Sequence, residues 1–218
     1  MVEDSLSPSE RRRENERRRV QYAKEAASFD REMGLGEKWI FGTEHRPWAC
    51  SRATGHTLEV GIGTGLNLPY YPPEASLIGL DLSPEMLDLA RRRATELGMT
   101  VELKEGDAQE LPFPDQMFDT VISTYAMCSV PDEARTISEM KRVLKYGGRL
   151  ILVDHIRSAV KPIYWMQRLL ELSPSHIKGE LTRRPLLHVR DAGFEILESD
   201  RLRVGIVERL VALKSEGG

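Results

Sequence analysis

The chain has only two cysteines, Cys50 and Cys128, among 218 residues. Two are too few for a disulfide framework, and they lack the paired spacing of a zinc site, so a reducing cytoplasmic setting is expected. No uninterrupted apolar run approaches the roughly 20 residues that span a bilayer. The opening Met1 to Ser5 leads into charged residues instead of the apolar core of a signal peptide. The expectation is a soluble protein, at most peripheral to a membrane. An excess of one charge is also missing: 31 Lys and Arg against 34 Asp and Glu leave −3, so any attraction to nucleic acid or anionic lipid has to be local. The five histidines and two cysteines form no zinc-like cluster, and Asp115 and Asp119 have no calcium-loop spacing. No metal is expected.

What remains is a globular composition with room for one α/β domain. Ser9 to Arg19 is almost wholly charged, with Arg11 to Arg13 and Arg17 to Arg19 flanking Glu14 and Glu16. This reads as a solvated helix face with pairs such as Glu14 with Arg18. The arginines also admit a membrane-surface or nucleic-acid contact, which the interleaved Glu10, Glu14 and Glu16 oppose. Val20, Tyr22, Ala23, Ala27 and Phe29 then give a helical apolar stripe ended by Gly34 and Gly36. Residues 1–50 are thus expected to be a helical segment lying as a lid on a domain of residues 51–218.

From Thr57 the chain alternates strand-like and helix-like runs, the pattern of a mostly parallel sheet flanked by helices. Strands are expected at Leu58 to Val60, Leu77 to Leu80, Val101 to Leu103, Thr120 to Ser123 and Leu150 to Val153. Pro84 to Leu97 is the clearest helix, with Ser83 as N-cap, Pro84 at its first position and Gly98 past its end. Asp132 to Lys145 is a second, stopped by Gly147 and Gly148. Tyr164 to Leu170 and Leu181 to Ala192 read as further helices. Phe194 to Leu197 and Gly205 to Leu213 would form an antiparallel hairpin at the sheet edge.

The sharpest signal is Leu58-Glu59-Val60-Gly61-Ile62-Gly63-Thr64-Gly65, a strand running into glycines at alternate positions. Glycine is needed where a chain turns sharply and lets a ligand approach the backbone. Asp81 ends the next strand, where its carboxylate would accept hydrogen bonds from a ribose diol. Gly106-Asp107-Ala108 follows the third strand and would reach an adenine edge. The order of loop and acids points to nucleotide binding. A dinucleotide fingerprint would place its third glycine one residue later and present a helix N-terminus to pyrophosphate. Here Glu59 precedes the loop, and a carboxylate there suits a cationic ligand better than a pyrophosphate.

The segment Glu59 to Gly65 resembles the first motif of class I S-adenosylmethionine-dependent methyltransferases. Asp81, Asp107-Ala108, Leu111 to Asp115 with Phe118-Asp119, and Arg142 to Leu150 resemble that family's later motifs in order. Within the class the chain is similar to the quinone-biosynthesis and phospholipid N-methyltransferases and to the small alkyl-thiol methyltransferases, the last through Thr124 to Val130 and Asp154-His155. The resemblance implies a Rossmann-like, doubly wound, mostly parallel sheet. It implies S-adenosylmethionine as cofactor and S-adenosylhomocysteine as product. Gly61, Gly63 and Gly65 would line the methionine part, Asp81 the ribose hydroxyls, and Asp107, Ala108 and Gln109 the adenine. Leu82 and Met86 would wall the ring, and Tyr22 would either cap the cofactor or pack in the core.

Methyl transfer from a sulfonium needs alignment and exclusion of water more than it needs acid–base help. A base matters only for an acceptor that arrives protonated. His155 is the candidate base, against the alternative of a histidine bonded at a strand end. Tyr125 would orient the acceptor or serve as wall, and Cys128 reads as a small buried hydrophobe. The acceptor is expected to be small or lipid-like: a thiol, amine, quinone or phospholipid headgroup. A nucleic acid is not expected, since Ser123 to Ala126 holds no motif for presenting a base amine and no basic domain is appended. A non-catalytic nucleotide-binding or membrane-surface adaptor and an NAD-linked oxidoreductase are the alternatives, and the oligomeric state is not legible.

Overall fold

Hydrophobic alternation is sharpest in the middle of the chain. In the computed structural model, which describes residues 7–172 and 181–216, that region builds one seven-stranded sheet. Strands β1 (His56–Val60), β2 (Ser76–Asp81), β3 (Glu102–Glu105), β4 (Phe118–Thr124) and β5 (Leu144–His155) run parallel in the order β3-β2-β1-β4-β5. β7 (Val207–Leu213) adds antiparallel to β5, and β6 (Glu195–Leu202) closes the edge. The expected Rossmann-like sheet with its C-terminal hairpin is therefore present. Met1 to Ser5, on which the signal-peptide reading rests, lie outside the described residues.

Successive residues of the central strands enter opposite cores. Val121, Leu150 and Leu152 pack on one face with Ile137, Met140, Val143, Leu186 and Val189. Ile122, Ile151 and Val153 pack on the other with Ala49, Cys50, Leu87 and Ala94. The side-chain period of two forces this alternation and requires helices on both faces. Those helices are α4 (Glu133–Val143) and α6 (Pro185–Asp191) on the first face, and α2 (His45–Cys50) and α3 (Pro84–Glu96) on the second. Ser83 caps α3 by accepting the Met86 N–H at 3.3 Å, and Gly98 ends it at φ +65°.

Two helix expectations are corrected. α4 stops at Val143, because Leu144 is already extended and pairs with Phe118 on β4. α6 begins only at Pro185, whose missing N–H suits the first helical turn, so Leu181 to Arg184 precede it. The helix expected from Tyr164, Trp165, Met166, Leu169 and Leu170 is present as α5 (Lys161–Leu170), again with a proline in its first turn.

The N-terminal helix α1 (Pro8–Gly36) begins with a capping box between Ser7 and Glu10 and continues into a π-helical turn, Glu37–Phe41. Arg18 is its one buried residue among those described. α1 lies over the carboxyl ends of the strands, tied by Asn15 to Asp107 at 2.6 Å and by Asp30 to Thr64 and Arg93.

Candidate functional site

Strand order reverses between β1 and β4, and an open α/β sheet binds ligands in the crevice beyond the carboxyl ends at such a point. Gly61 follows β1, Asp107 lies beyond β3 and Tyr125 follows β4, while Asp81 ends β2 and His155 ends β5. A cavity of about 480 Å³ opens there, within the range of about 300–1,000 Å³ usual for small-molecule sites.

Of the residues expected from sequence, Tyr22, Gly61, Gly63, Asp81, Leu82, Met86, Asp107, Ala108, Tyr125 and His155 line this cavity. The loop after β1 is held by hydrogen bonds from Gly61 and Ile62 N–H to the Leu80 carbonyl and from Gly63 N–H to Asp81 Oδ2 at 2.8 Å. Gly61 sits at φ +75°, and a Cβ there would lie 2.5 Å from that of Ala126. At Gly63 a Cβ would meet only the Phe29 ring at 4.0 Å, pointing into the open crevice. Asp81 Oδ1 accepts from Ser83 N–H at 2.9 Å, and burial pushes its carboxyl above the usual range.

Three expected residues lie elsewhere. Glu59 is buried on the far side of β1, its carboxylate accepting from Asn67 at 2.7 Å and Tyr71 at 2.9 Å. Neighbouring side chains on a strand face opposite ways, so with Val60 toward the cavity Glu59 turns from it. Arg46, ion-paired to Glu37 at 2.7 Å, also bonds Asn67 and completes a buried network; burial raises the Glu59 carboxyl to about 7. Gly65 is a packing glycine: a Cβ there would stand 2.8 Å from Leu68 and 3.3 Å from the Ala90 backbone. Gln109 is outside the lining and bonds Asp107 and Asn15 instead.

At the opposite end of the cavity from Asp107, Phe41 stacks on His155 at 5.7 Å and lies 5.8 Å from Tyr125. Tyr125 holds φ +55°, a conformation rare for an aromatic residue and typical of functional sites. Its ring carries the Arg46 guanidinium at 5.2 Å, and burial pushes its hydroxyl pKa up. Asp154 is buried behind His155, with Oδ1 3.4 Å from Nδ1. Both its oxygens also accept backbone N–H groups, from Met127 and Cys128 on one and His155 on the other. Burial still outweighs these bonds and raises its carboxyl to about 6. Cys128, Asp154 and His155 bring donor atoms within 4.8 Å of one another, a metal-like grouping in residue type, but one whose carboxylate is already fixed by the backbone.

From the run expected to be a solvated face, α1 turns Asn15 and Arg18 toward the cavity. Arg18 does pair with Glu14, at 3.2 Å, yet it faces the cavity and is 2% exposed. Asn15, Gln21, Glu25 and Phe29 line the same wall, and Tyr22 bonds Ser129 across the crevice.

The site tests favourably for S-adenosylmethionine. Ser123 Oγ, Tyr125 OH and His155 Nε2 are buried at the cavity with no hydrogen-bond partner among the described residues, as expected of groups that face a polar ligand. No α-helix follows the glycine loop. The next element is a short 3₁₀ turn, Leu68–Tyr70, so the helix N-terminus that a dinucleotide pyrophosphate requires is not offered.

Sheet order, loop and carboxylates define the fold of class I S-adenosylmethionine-dependent methyltransferases. Residues 58–152 match the methyltransferase domain family. The chain is 42% identical over 118 residues to a phosphatidylethanolamine N-methyltransferase of Cereibacter sphaeroides, covering 53% of this chain and 58% of that one. It is 37% identical over 129 residues to a demethylmenaquinone methyltransferase of Deinococcus radiodurans, covering 56% and 51%. The chain thus spans about half the length of the curated relatives it matches. A solved S-adenosylmethionine-dependent methyltransferase of Aquifex aeolicus superposes with a TM-score of 0.58 at 20% identity, covering 73% of this chain and 81% of that one.

Proposed function

We propose that the chain transfers a methyl group from S-adenosylmethionine to a small or lipid-like acceptor. The observation that carries this reading is the single cavity edge shared by Gly61, Gly63, Asp81 and Asp107, with the unpartnered polar atoms of Ser123, Tyr125 and His155 beside it. A bound S-adenosylmethionine supplies an activated methyl carbon. Asp81 accepts ribose hydroxyls, Asp107 and Ala108 address the adenine, and Met86 and Leu82 wall the ring. The segment from α1 through the π-helical turn, Pro8 to Phe41, acts as the lid, with Tyr22 and Arg18 on its inner face excluding water.

Tyr125 and His155 position the acceptor. The Asp154 carboxylate beside Nδ1 favours the His155 tautomer whose proton sits there, leaving the Nε2 lone pair toward the cavity. His155 Nε2 would take the proton of a thiol or ammonium acceptor first, so that the sulfur or nitrogen lone pair is free to receive the methyl group that S-adenosylmethionine would supply. The phosphatidylethanolamine and demethylmenaquinone relatives support an acceptor of lipid-like character.

The test is transfer of labelled methyl from S-adenosylmethionine into a cell extract, followed by organic–aqueous partition. Label in the organic phase is expected, and an absence of transfer to either phase would refute the reading.

A further inference from the structure

The largest exposed apolar side chains gather around the Phe41–His155 end of the cavity. In the π-helical turn Trp39 is 74% exposed, with Ile40 beside it. On α5, Trp165 is 67% and Leu169 68% exposed, and Met166 and Leu170 flank them, forming an exposed i, i+4 stripe. Val204, at the tip of the β6–β7 turn, completes the set. These three segments are one surface. The Arg203 guanidinium lies over Gly42, Ser158 Oγ donates to the Val204 carbonyl at 2.8 Å, and Arg201 donates to the Arg157 carbonyl at 2.7 Å. Exposed apolar groups so concentrated mark an interaction site.

The charge around them is predominantly basic. Across residues 37–42, 156–172 and 201–206 the basic side chains are Lys38, Arg157, Lys161, Arg168, Arg201 and Arg203, all exposed. The acids there, Glu37 and Glu171, are both buried, and the adjoining exposed acid, Glu44, is ion-paired to Arg203 at 3.0 Å. A chain of net charge −3 therefore presents a tryptophan-bearing face on which basic side chains outnumber the one exposed acid, beside the Phe41–His155 end of its cavity. The arginine run of α1 differs: from Ser9 to Arg19 it has no apolar side chain and is interleaved with Glu10, Glu14 and Glu16.

We propose that this face, Lys38 to Ile40 with the outer side of α5 and the β6–β7 turn, seats on an anionic bilayer and turns the cavity mouth toward the lipid. Tryptophan and leucine enter the interface while the basic side chains meet the headgroups. That the bilayer also delivers the acceptor rests on the methyl-transfer reading above; the docking does not.

The experiment is flotation with vesicles of phosphatidylcholine alone and of phosphatidylcholine with phosphatidylglycerol. The chain is expected to float with the anionic vesicles. Combined Trp165→Glu and Leu169→Glu should weaken that binding about tenfold or more, and Lys38→Glu with Lys161→Glu should remove the preference for anionic lipid. Replacing Arg11, Arg12 and Arg13 by alanine should change it by less than about threefold. Melting and calorimetric binding of S-adenosylmethionine, followed on every variant, show that each is folded and report on the methyl donor site independently of flotation. The proposal is overturned if the chain does not float, or if the Trp165 and Leu169 variant floats like the parent. It is equally overturned if the loss follows the α1 arginines, or if these substitutions dissociate a dimer that ignores vesicles.

Discussion

Glu59→Gln isolates the buried network beneath the nucleotide loop. Glu59 is wholly buried, and its carboxyl is raised from 4.5 to about 7 because burial outweighs the bonds from Tyr71 and Asn67. The folded chain therefore holds this proton more tightly than the unfolded chain does. Stability from this group is fully present below about pH 4.5 and is lost as pH rises to about 7, amounting to about 3 kcal/mol. Glutamine keeps the shape and a carbonyl acceptor but does not titrate, and Arg46 retains its Glu37 partner. The variant is expected to match the parent within about 1 kcal/mol at pH 5 and to exceed it by about 2 kcal/mol at pH 8. Asp154 and His188 are also raised, Asp154 by burial and His188 by the adjoining Glu133 carboxylate, and both bend the parent's profile the same way; Glu59→Gln removes only its own share. Urea unfolding from pH 5 to pH 8 measures this, with calorimetry showing donor binding retained because Glu59 lies outside the cavity. Equal pH slopes in parent and variant would refute the reasoning.

Gly63→Val places a branched side chain in the crevice rather than in the core. At φ +55° a β-branched residue is strained, so the melting temperature should fall by several degrees, and the still-folded variant should bind no S-adenosylmethionine, as titration calorimetry below its melting temperature would record. Asp81→Ala removes the acceptor of the Gly63 and Ser83 N–H groups as well as the ribose contact, and should weaken donor binding by about 2 kcal/mol or more, roughly thirtyfold in Kd. His155→Ala should lower kcat about a hundredfold with a protonatable acceptor and leave donor affinity unchanged; an unaltered kcat removes the base.

Most of the cavity lining beyond β1, β2 and β3 was legible because it rests on local signals. Alternating apolar strands, glycines needing positive φ and acids at strand ends are each tied to a backbone position, and the sheet order brings those positions together. The orientation of Glu59 was not legible, since β1 is buried on both faces and its polar side, Thr57 with Glu59, is the one turned away from the cavity. Gly65 looked like its neighbours, but its requirement comes from Leu68 and α3, contacts that need the tertiary structure. Arg18 was hidden for the converse reason: α1 is charged all round in its first half, so periodicity could not reveal which arginine turns inward. Phe41 sits in a single π-helical turn too short to carry a pattern, and only its stacking on His155 gives it a place in the site.

The central claim is the methyl donor site, and titration of the purified chain with S-adenosylmethionine tests it most directly. One saturable site is predicted, competed by S-adenosylhomocysteine and lost in Gly63→Val. No saturable heat with S-adenosylmethionine, or a saturable response to NAD instead, would contradict it.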